Sequence, residues 1–139
     1  MASFVYNSFY EDLGKGDIDL LSDTFKMILV TSSYTANKDT HTRADDITNE
    51  VANGNGYTTG GVTIVPTVTV DTNADTITYT FPAASWANST ITAAGAVLHK
   101  DRGGAASADE LVFYNDFGGD VSSSNATFSV SAATIVIEN

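Results

Sequence analysis

The clearest pattern along the chain is a strict alternation of threonine and apolar residues between positions 76 and 81. Ile77, Tyr79 and Phe81 fall on one face, which is the period of a half-buried β-strand. Strand-like runs also cover residues 62–65 and 67–70. Pro66 separates them, and because proline cannot donate a ladder hydrogen bond it predicts a bulge or a sheet edge. The polar residues 71–75 then predict the loop of a hairpin.

Five other runs are strand-like in a different way, because apolar residues follow one another with little interruption. Such runs indicate strands that are buried on both faces in places. They cover residues 26–30, 94–99, 111–115, 126–130 and 134–137. Small polar residues at 103–105, 118–120 and 122–125 predict turns between them.

Only two short helices are predicted, over residues 8–13 and 43–51. Thr42 could cap the second helix, with Asp45 three residues later. Thr, Val, Ile, Ala, Ser and Gly dominate elsewhere and favour strands. The predicted fold is therefore all-β, a single-domain antiparallel β-sandwich or jelly-roll-like domain over residues 24–139. Residues 1–23 are predicted to form an N-terminal arm, or a short helix that packs on the domain or on a neighbour.

Charge and cysteine content narrow the function classes. The chain has 17 acidic and 6 basic side chains and a formal charge of -11, and its basic residues are scattered. Such a surface repels phosphate backbones and anionic membranes, so neither nucleic acid nor a membrane is expected as a partner. The absence of cysteine excludes disulfides and thiolate metal sites. No run is long enough to span a bilayer, and the N-terminus lacks the pattern of a secretory signal, so we expect a soluble product.

Candidate catalytic groups are few. His41 and His99 are the only imidazoles, and neither belongs to a known catalytic spacing. A hydrolase that uses His99 with Asp101 or Asp116 is the enzymatic alternative, but we expect no enzyme and no cofactor.

Two acidic loops could be mistaken for cation sites. Asp71-x-Asn73-x-Asp75 resembles the start of a calcium loop, yet Thr76 and Pro82 stand where that loop requires glycine and glutamate. Residues 116–120 place two aspartates around glycines, which also suits a tight turn. Both loops are therefore predicted to be turns, and no metal is expected.

The aromatic residues divide into core and contact candidates. Tyr79, Trp86, Phe113 and Tyr114 could stack on a sugar ring, but their alternation within apolar runs predicts core packing. The remaining candidates lie in the N-terminal segment or in polar loops and are predicted to make contacts outside the domain. These candidate assembly contacts are Phe4, Tyr6, Phe9, Tyr10, Tyr34 and Tyr57.

Several segments together resemble a family of short virion proteins of tailed bacteriophages. The most specific is Gly-Asn-Gly-Tyr-Thr-Thr-Gly-Gly at residues 54–61, of the form Gly-x-Gly-Tyr-Thr-x-Gly-Gly. The others are residues 10–20, 23–35, 86–97 and 114–119, so the resemblance covers most of the chain.

The resemblance implies a structural virion role without naming active residues. The first expectation is a capsid decoration or cement protein that binds the outer capsid surface and stabilises the head. Its partners would be the major capsid protein or other virion proteins, and it would form a homo-oligomer, for instance a trimer. It would be made in the host cytoplasm and located in the virion. The alternative is a tail- or fibre-associated adhesion module that binds a host-surface glycan.

Overall fold

A computed structural model describes residues 2–139 of the protein. Over that range it contains one α-helix and ten β-strands, joined by turns that include two short 3-10 segments, Ala44–Asp46 and Ala106–Ala108. The helix is α1, Asn7–Lys15. The strands are β1 Phe4–Val5, β2 Phe25–Val30, β3 Val62–Ile64, β4 Thr67–Asp71, β5 Thr76–Phe81, β6 Ala84–Ser89, β7 Thr92–Lys100, β8 Leu111–Ser122, β9 Ala126–Val130 and β10 Ala133–Glu138.

The strands form three antiparallel sheets, which confirms the predicted all-β class. The largest sheet has the order β1-β8-β7-β2-β3, the second has the order β10-β5-β4, and β6 pairs with β9. One face of the five-stranded sheet packs on the two smaller sheets around a shared core. The rings of Phe81 in β5 and Phe113 in β8, for example, meet edge to face with centroids 5.2 Å apart. This arrangement of two packed layers is a β-sandwich.

The opposite face of the five-stranded sheet is also covered. Ile28, Val30 and Val97 form a second apolar cluster with Tyr34 and Ala36 from the loop after β2. The strands β2 and β7 are therefore buried on both faces, as their continuous apolar runs predict. Strands also form at the predicted residues 126–130 and 134–137, but β9 and β10 lie in the smaller sheets and expose alternate residues, so burial on both faces does not extend to them.

Pro66 lies where the chain passes from one sheet to another. The strand before it, β3, is an edge of the five-stranded sheet, and β4 after it is an edge of the three-stranded sheet. Both edges have an unpaired side, so the missing N–H of proline costs the sheets no hydrogen bond. The predicted sheet edge is confirmed.

The hairpin between β4 and β5 also follows the prediction. Its loop begins at Asp71, whose carboxylate accepts hydrogen bonds from the backbone N–H groups of Asn73 and Ala74, at 2.9 and 3.1 Å. Asp75 closes the turn with a φ of 54°. The acidic side chain at the start of this loop therefore serves turn geometry.

The prediction of a second helix was wrong. Residues 43–51 contain only the 3-10 turn Ala44–Asp46, because Ile47 is already extended. The capping carboxylate is that of Asp46 rather than Asp45, and it accepts the backbone N–H groups of Thr42 and Arg43. These hydrogen bonds, led by that of Thr42, hold the pKa of Asp46 below its usual range.

The N-terminal segment packs on the domain and does not extend away as an arm. Residues Phe4 and Val5 pair with Tyr114 and Phe113 at the edge of the five-stranded sheet. The helix α1 covers the predicted residues 8–13 and buries Phe9 completely. Residues 2–23 thus contribute to the core of the sandwich.

Candidate interaction site

The structure places the six candidate contact residues in two groups. Tyr6, Phe9, Tyr34 and Tyr57 are each at least 96% buried within the chain, so they are not available at its surface. The prediction that these four make contacts outside the domain is therefore corrected. Phe4 is half-buried on the edge strand β1, and Tyr10 is 51% exposed on α1. Of the six candidates, only these two are accessible at the surface of the chain.

Tyr57 shows why an aromatic residue in a polar loop is buried. Its hydroxyl accepts the backbone N–H of Leu29 in β2 at 3.1 Å and donates to the Glu50 carboxylate at 2.7 Å. The same Glu50 oxygen accepts the N–H of Gly60. Tyr57 thereby anchors the Gly-x-Gly-Tyr-Thr-x-Gly-Gly loop to the central sheet.

We expect Tyr57→Phe to lower the free energy of unfolding by about 1–3 kcal/mol, because the buried Leu29 N–H would lose its side-chain acceptor. The matched control is Tyr79→Phe, since Tyr79 is only half-buried and its hydroxyl makes no hydrogen bond within residues 2–139. Urea denaturation of both variants measures the difference. Equal stability of the two would show that the hydroxyl of Tyr57 contributes nothing.

A second tyrosine network lies beneath the loop that follows β2. The hydroxyls of Tyr6 and Tyr34 are 2.9 Å apart, and the Tyr34 hydroxyl is 2.8 Å from Nδ1 of His41. Burial raises the pKa of Tyr34 to about 12. These groups satisfy one another within the domain, which is a structural role.

Ion pairs occupy most of the basic side chains. Arg43 binds the buried Asp12 carboxylate with two hydrogen bonds of 2.9 and 3.2 Å. Arg102 does the same to Glu110, at 2.6 and 2.8 Å. Lys100 pairs with Asp23 at 2.9 Å. Lys15 also pairs with Glu11, and Lys26 lies near Asp101, so five of the six Lys and Arg residues form ion pairs within the chain. The excess charge that remains exposed is therefore acidic.

A cleft of about 250 Å³ opens on the outer face of the five-stranded sheet. Lys26 and His99, which are cross-strand neighbours of β2 and β7, both line it. The loop between β7 and β8 adds Asp101 and Asp109. Asp116, the other acid of the hydrolase alternative, pairs with Gly95 instead, four residues along β7 from His99.

The three-stranded sheet leaves a different surface uncovered. Val68, Val70 and Ile77 share the face that elsewhere packs on the core, but they lie at its outer end and are 36%, 62% and 36% exposed. These three residues are called the hairpin patch below. Contiguous exposed apolar surface of this kind marks interaction sites.

The hairpin patch continues into an apolar groove. The groove has a volume of about 350 Å³ and runs between the three-stranded sheet and the loop that follows α1. Asp19 lies on its wall, and Asp71 follows Val70 at the end of β4. None of the residues that line the groove is basic. They are Leu13, Gly16, Ile18, Asp19, Leu20, Leu21, Val68 and Tyr79.

The aromatic residues that could stack on a sugar are mostly in the core. Trp86, Phe113 and Tyr114 are 5%, 6% and 5% exposed, and Tyr79 is half-buried. The predicted core packing of these residues is confirmed. A flat aromatic platform for a glycan is not formed by these four side chains.

Within residues 2–139, no three His, Asp or Glu side chains come together as a metal-binding group. Over the same residues, the helix is too short to cross a bilayer. No family model, curated protein sequence or solved structure matches the chain.

Proposed function

We propose that this protein is a structural component of a tailed-phage virion, which attaches to the outer surface of the capsid and stabilises the head. The single observation that carries the proposal is the hairpin patch with its adjoining groove, which together leave an apolar sheet face without a partner. The sequence resemblance supports the virion context, and the major capsid protein is the partner that we propose. The protein would be made in the host cytoplasm and then join the particle.

The charges around the hairpin patch indicate what kind of surface it contacts. Asp19, Asp71 and Asp75 lie on the groove wall or at the hairpin tip, and most basic residues of the chain are used internally. If two copies met through this patch, their carboxylates would come close together and repel one another. We therefore propose a partner surface with an apolar centre framed by Lys and Arg side chains. Such a contact must bury on the order of 1,000 Å² to be stable, and the patch supplies its centre.

Self-association is part of the proposal but must use another surface. The edge strand β1 carries the half-buried Phe4, and Tyr10 is exposed on the neighbouring helix. A homo-oligomer such as a trimer could form through this side while the hairpin patch faces the capsid. Analytical ultracentrifugation of the purified protein, with Tyr10→Ser for comparison, measures this association. Deleting the whole segment is not a clean test, because it removes the buried Tyr6 and Phe9.

We expect Val70→Asp to weaken attachment to capsids about tenfold or more, because it places a charge at the centre of the apolar contact. The control is Val136→Asp, which alters a residue of similar exposure on the opposite face of the same sheet. Both proteins are added to heads assembled without this protein, and bound copies are counted after sedimentation. Equal loss for both variants, or no attachment of the unaltered protein, would contradict the proposal.

A further inference from the structure

The cleft on the outer face of the five-stranded sheet contains groups that the proposed function does not use. It lies on a different sheet from the hairpin patch. Its lining combines an aliphatic part with hydrogen-bond acceptors. The aliphatic part consists of Ile28, Ala44, Ile47 and Ala106.

His99, which lines this cleft, has one ring nitrogen that can accept a hydrogen bond. The residue is only 7% exposed, and its Nδ1 lies 2.9 Å from the carbonyl oxygen of Lys100. Because a carbonyl oxygen can only accept, Nδ1 carries the proton and donates. In the neutral ring the other nitrogen, Nε2, is then an acceptor. It hydrogen-bonds to no residue within 2–139.

Asp109 is the second group, because no Lys or Arg side chain forms an ion pair with its carboxylate within residues 2–139. Its side chain is 7% exposed, and Oδ1 accepts the backbone N–H of Arg102 at 2.9 Å. The nearest candidate cation is the His99 ring at 4.0 Å, which is charged only when protonated. Buried carboxylates are normally paired with a positive charge, because burial without one is costly. The guanidinium of Arg102 binds Glu110 and not Asp109.

The net charge of the cleft has the same sign as the Asp109 carboxylate. Its lining has the three carboxylates of Glu50, Asp101 and Asp109 against the one ammonium of Lys26. Lys26 lies 3.9 Å from Asp101 and offsets that residue first. A guest would therefore meet an excess of negative charge beside Asp109, together with the acceptor nitrogen of His99.

We propose that the cleft binds the basic side chain of a partner protein, with its guanidinium or ammonium group beside Asp109 and His99 Nε2. The aliphatic stem of such a side chain would pack on the apolar lining, and its N–H groups would donate to the acceptors. This inference concerns the chemistry of one cleft and stands whether or not the protein belongs to a virion.

The test is a titration of the purified protein followed by nuclear magnetic resonance. The probe is N-acetyl-arginine-N-methylamide, and N-acetyl-norleucine-N-methylamide provides a similar stem without the charge. We expect saturable shifts of the His99 ring signals with a dissociation constant on the order of 1–10 mM for the arginine probe alone. Absence of saturation, or equal binding of the norleucine probe, would overturn the proposal.

Two variants locate the binding site. Asp109→Asn keeps the size of the side chain and an oxygen for the Arg102 N–H, and should weaken binding of the arginine probe about fivefold or more. Asp120→Asn alters an exposed acid on β8 outside the cleft and should leave binding unchanged. Amide spectra establish that both variants are folded. If both bind like the unaltered protein, the cleft is not the site.

The source of the cation is tested with agmatine, a free alkyl guanidine that carries a second charge. If the natural guest is a protein side chain, the dissociation constant of the arginine amide should lie within about tenfold of that of agmatine. Much tighter binding of agmatine would overturn the assignment to a side chain and indicate a small free amine.

Discussion

Gly61→Ala is expected to destabilise the protein by at least about 3 kcal/mol, which is a large part of the stability of a domain of this size. Gly61 has a φ of 74° and lies directly against β2. A methyl group there would overlap the carbonyl oxygen of Met27 and lie 2.6 Å from its carbonyl carbon. Both atoms belong to the backbone of a central strand, so the neighbour cannot rotate away. The loop and the sheet would have to separate.

Gly60→Ala is the matched control for this substitution. Gly60 has a similar backbone conformation, with a φ of 94°, but a methyl group there would meet no atom within 4 Å. It should cost only about 1 kcal/mol, the conformational penalty of a left-handed alanine. Thermal unfolding would then show a decrease in midpoint of about 3 °C for Gly60→Ala and about 10 °C or more for Gly61→Ala. Similar decreases for both would mean that the close approach to Met27 is not rigid.

The second large effect is expected for Arg43→Ala. Removing Arg43 leaves the carboxylate of Asp12 buried without its cation, and such a loss costs about 3 kcal/mol near neutral pH. Burial already raises the pKa of Asp12 in the folded protein, although Arg43 acts in the opposite direction. Without Arg43 that pKa should rise further.

The sign of the pH dependence follows from this raised pKa. A protonated Asp12 carries no charge to bury, so the penalty of Arg43→Ala is largest when Asp12 is ionised. It should shrink as the pH falls from about 7 towards the unfolded value of about 3.9. Urea denaturation of both proteins at about pH 7 and pH 4.5 measures the change. Lys15→Ala, which breaks an exposed ion pair, should have no measurable effect at either pH. A penalty independent of pH would show that Arg43 acts through packing.

Most of the sheet structure could be predicted because burial sets the pattern of these strands. The continuous apolar runs over β2 and β7 match the environment that the structure gives them. The alternation over β5 located the strand, but of its predicted buried face only Phe81 is buried, Tyr79 is half-buried and Ile77 is exposed. The strand β6 was missed because its run Ala-Ser-Trp-Ala-Asn-Ser contains only one large apolar residue, Trp86. Its pairing with β9 also shifts register between Trp86 and Ser89.

The glycine pair at 118–119 shows a different limit of sequence reasoning. It was predicted to form a turn, but β8 continues through it to Ser122. In the partner strand β7, the paired residues Ala93 and Gly95 are separated by one residue, whereas their partners in β8, Val121 and Asp116, are separated by several. The extra residues of β8 therefore bulge out of the ladder. A bulge and a turn use the same residues, and only the partner strand distinguishes them.

The candidate sites were harder to predict, because they depend on partners that are distant in sequence. The burial of Tyr34 and Tyr57 follows from hydroxyl contacts to Tyr6, Leu29 and Glu50, which local composition does not reveal. The cleft likewise depends on the register that places Lys26 beside His99. The hairpin patch was visible in the sequence only as ordinary strand alternation, since a pattern does not show where the opposing layer ends.

The pairing of β1 with β8 has a consequence for how the protein folds. Residues 4–5 pair with residues 113–114, and β10 pairs with β5, so the two larger sheets are completed only when segments far apart in the chain meet. Closing such long loops is slow, and folding times of milliseconds to seconds are typical of this topology. During synthesis the early strands therefore remain without their pairing partners, and their apolar faces stay exposed, until the late strands have left the ribosome.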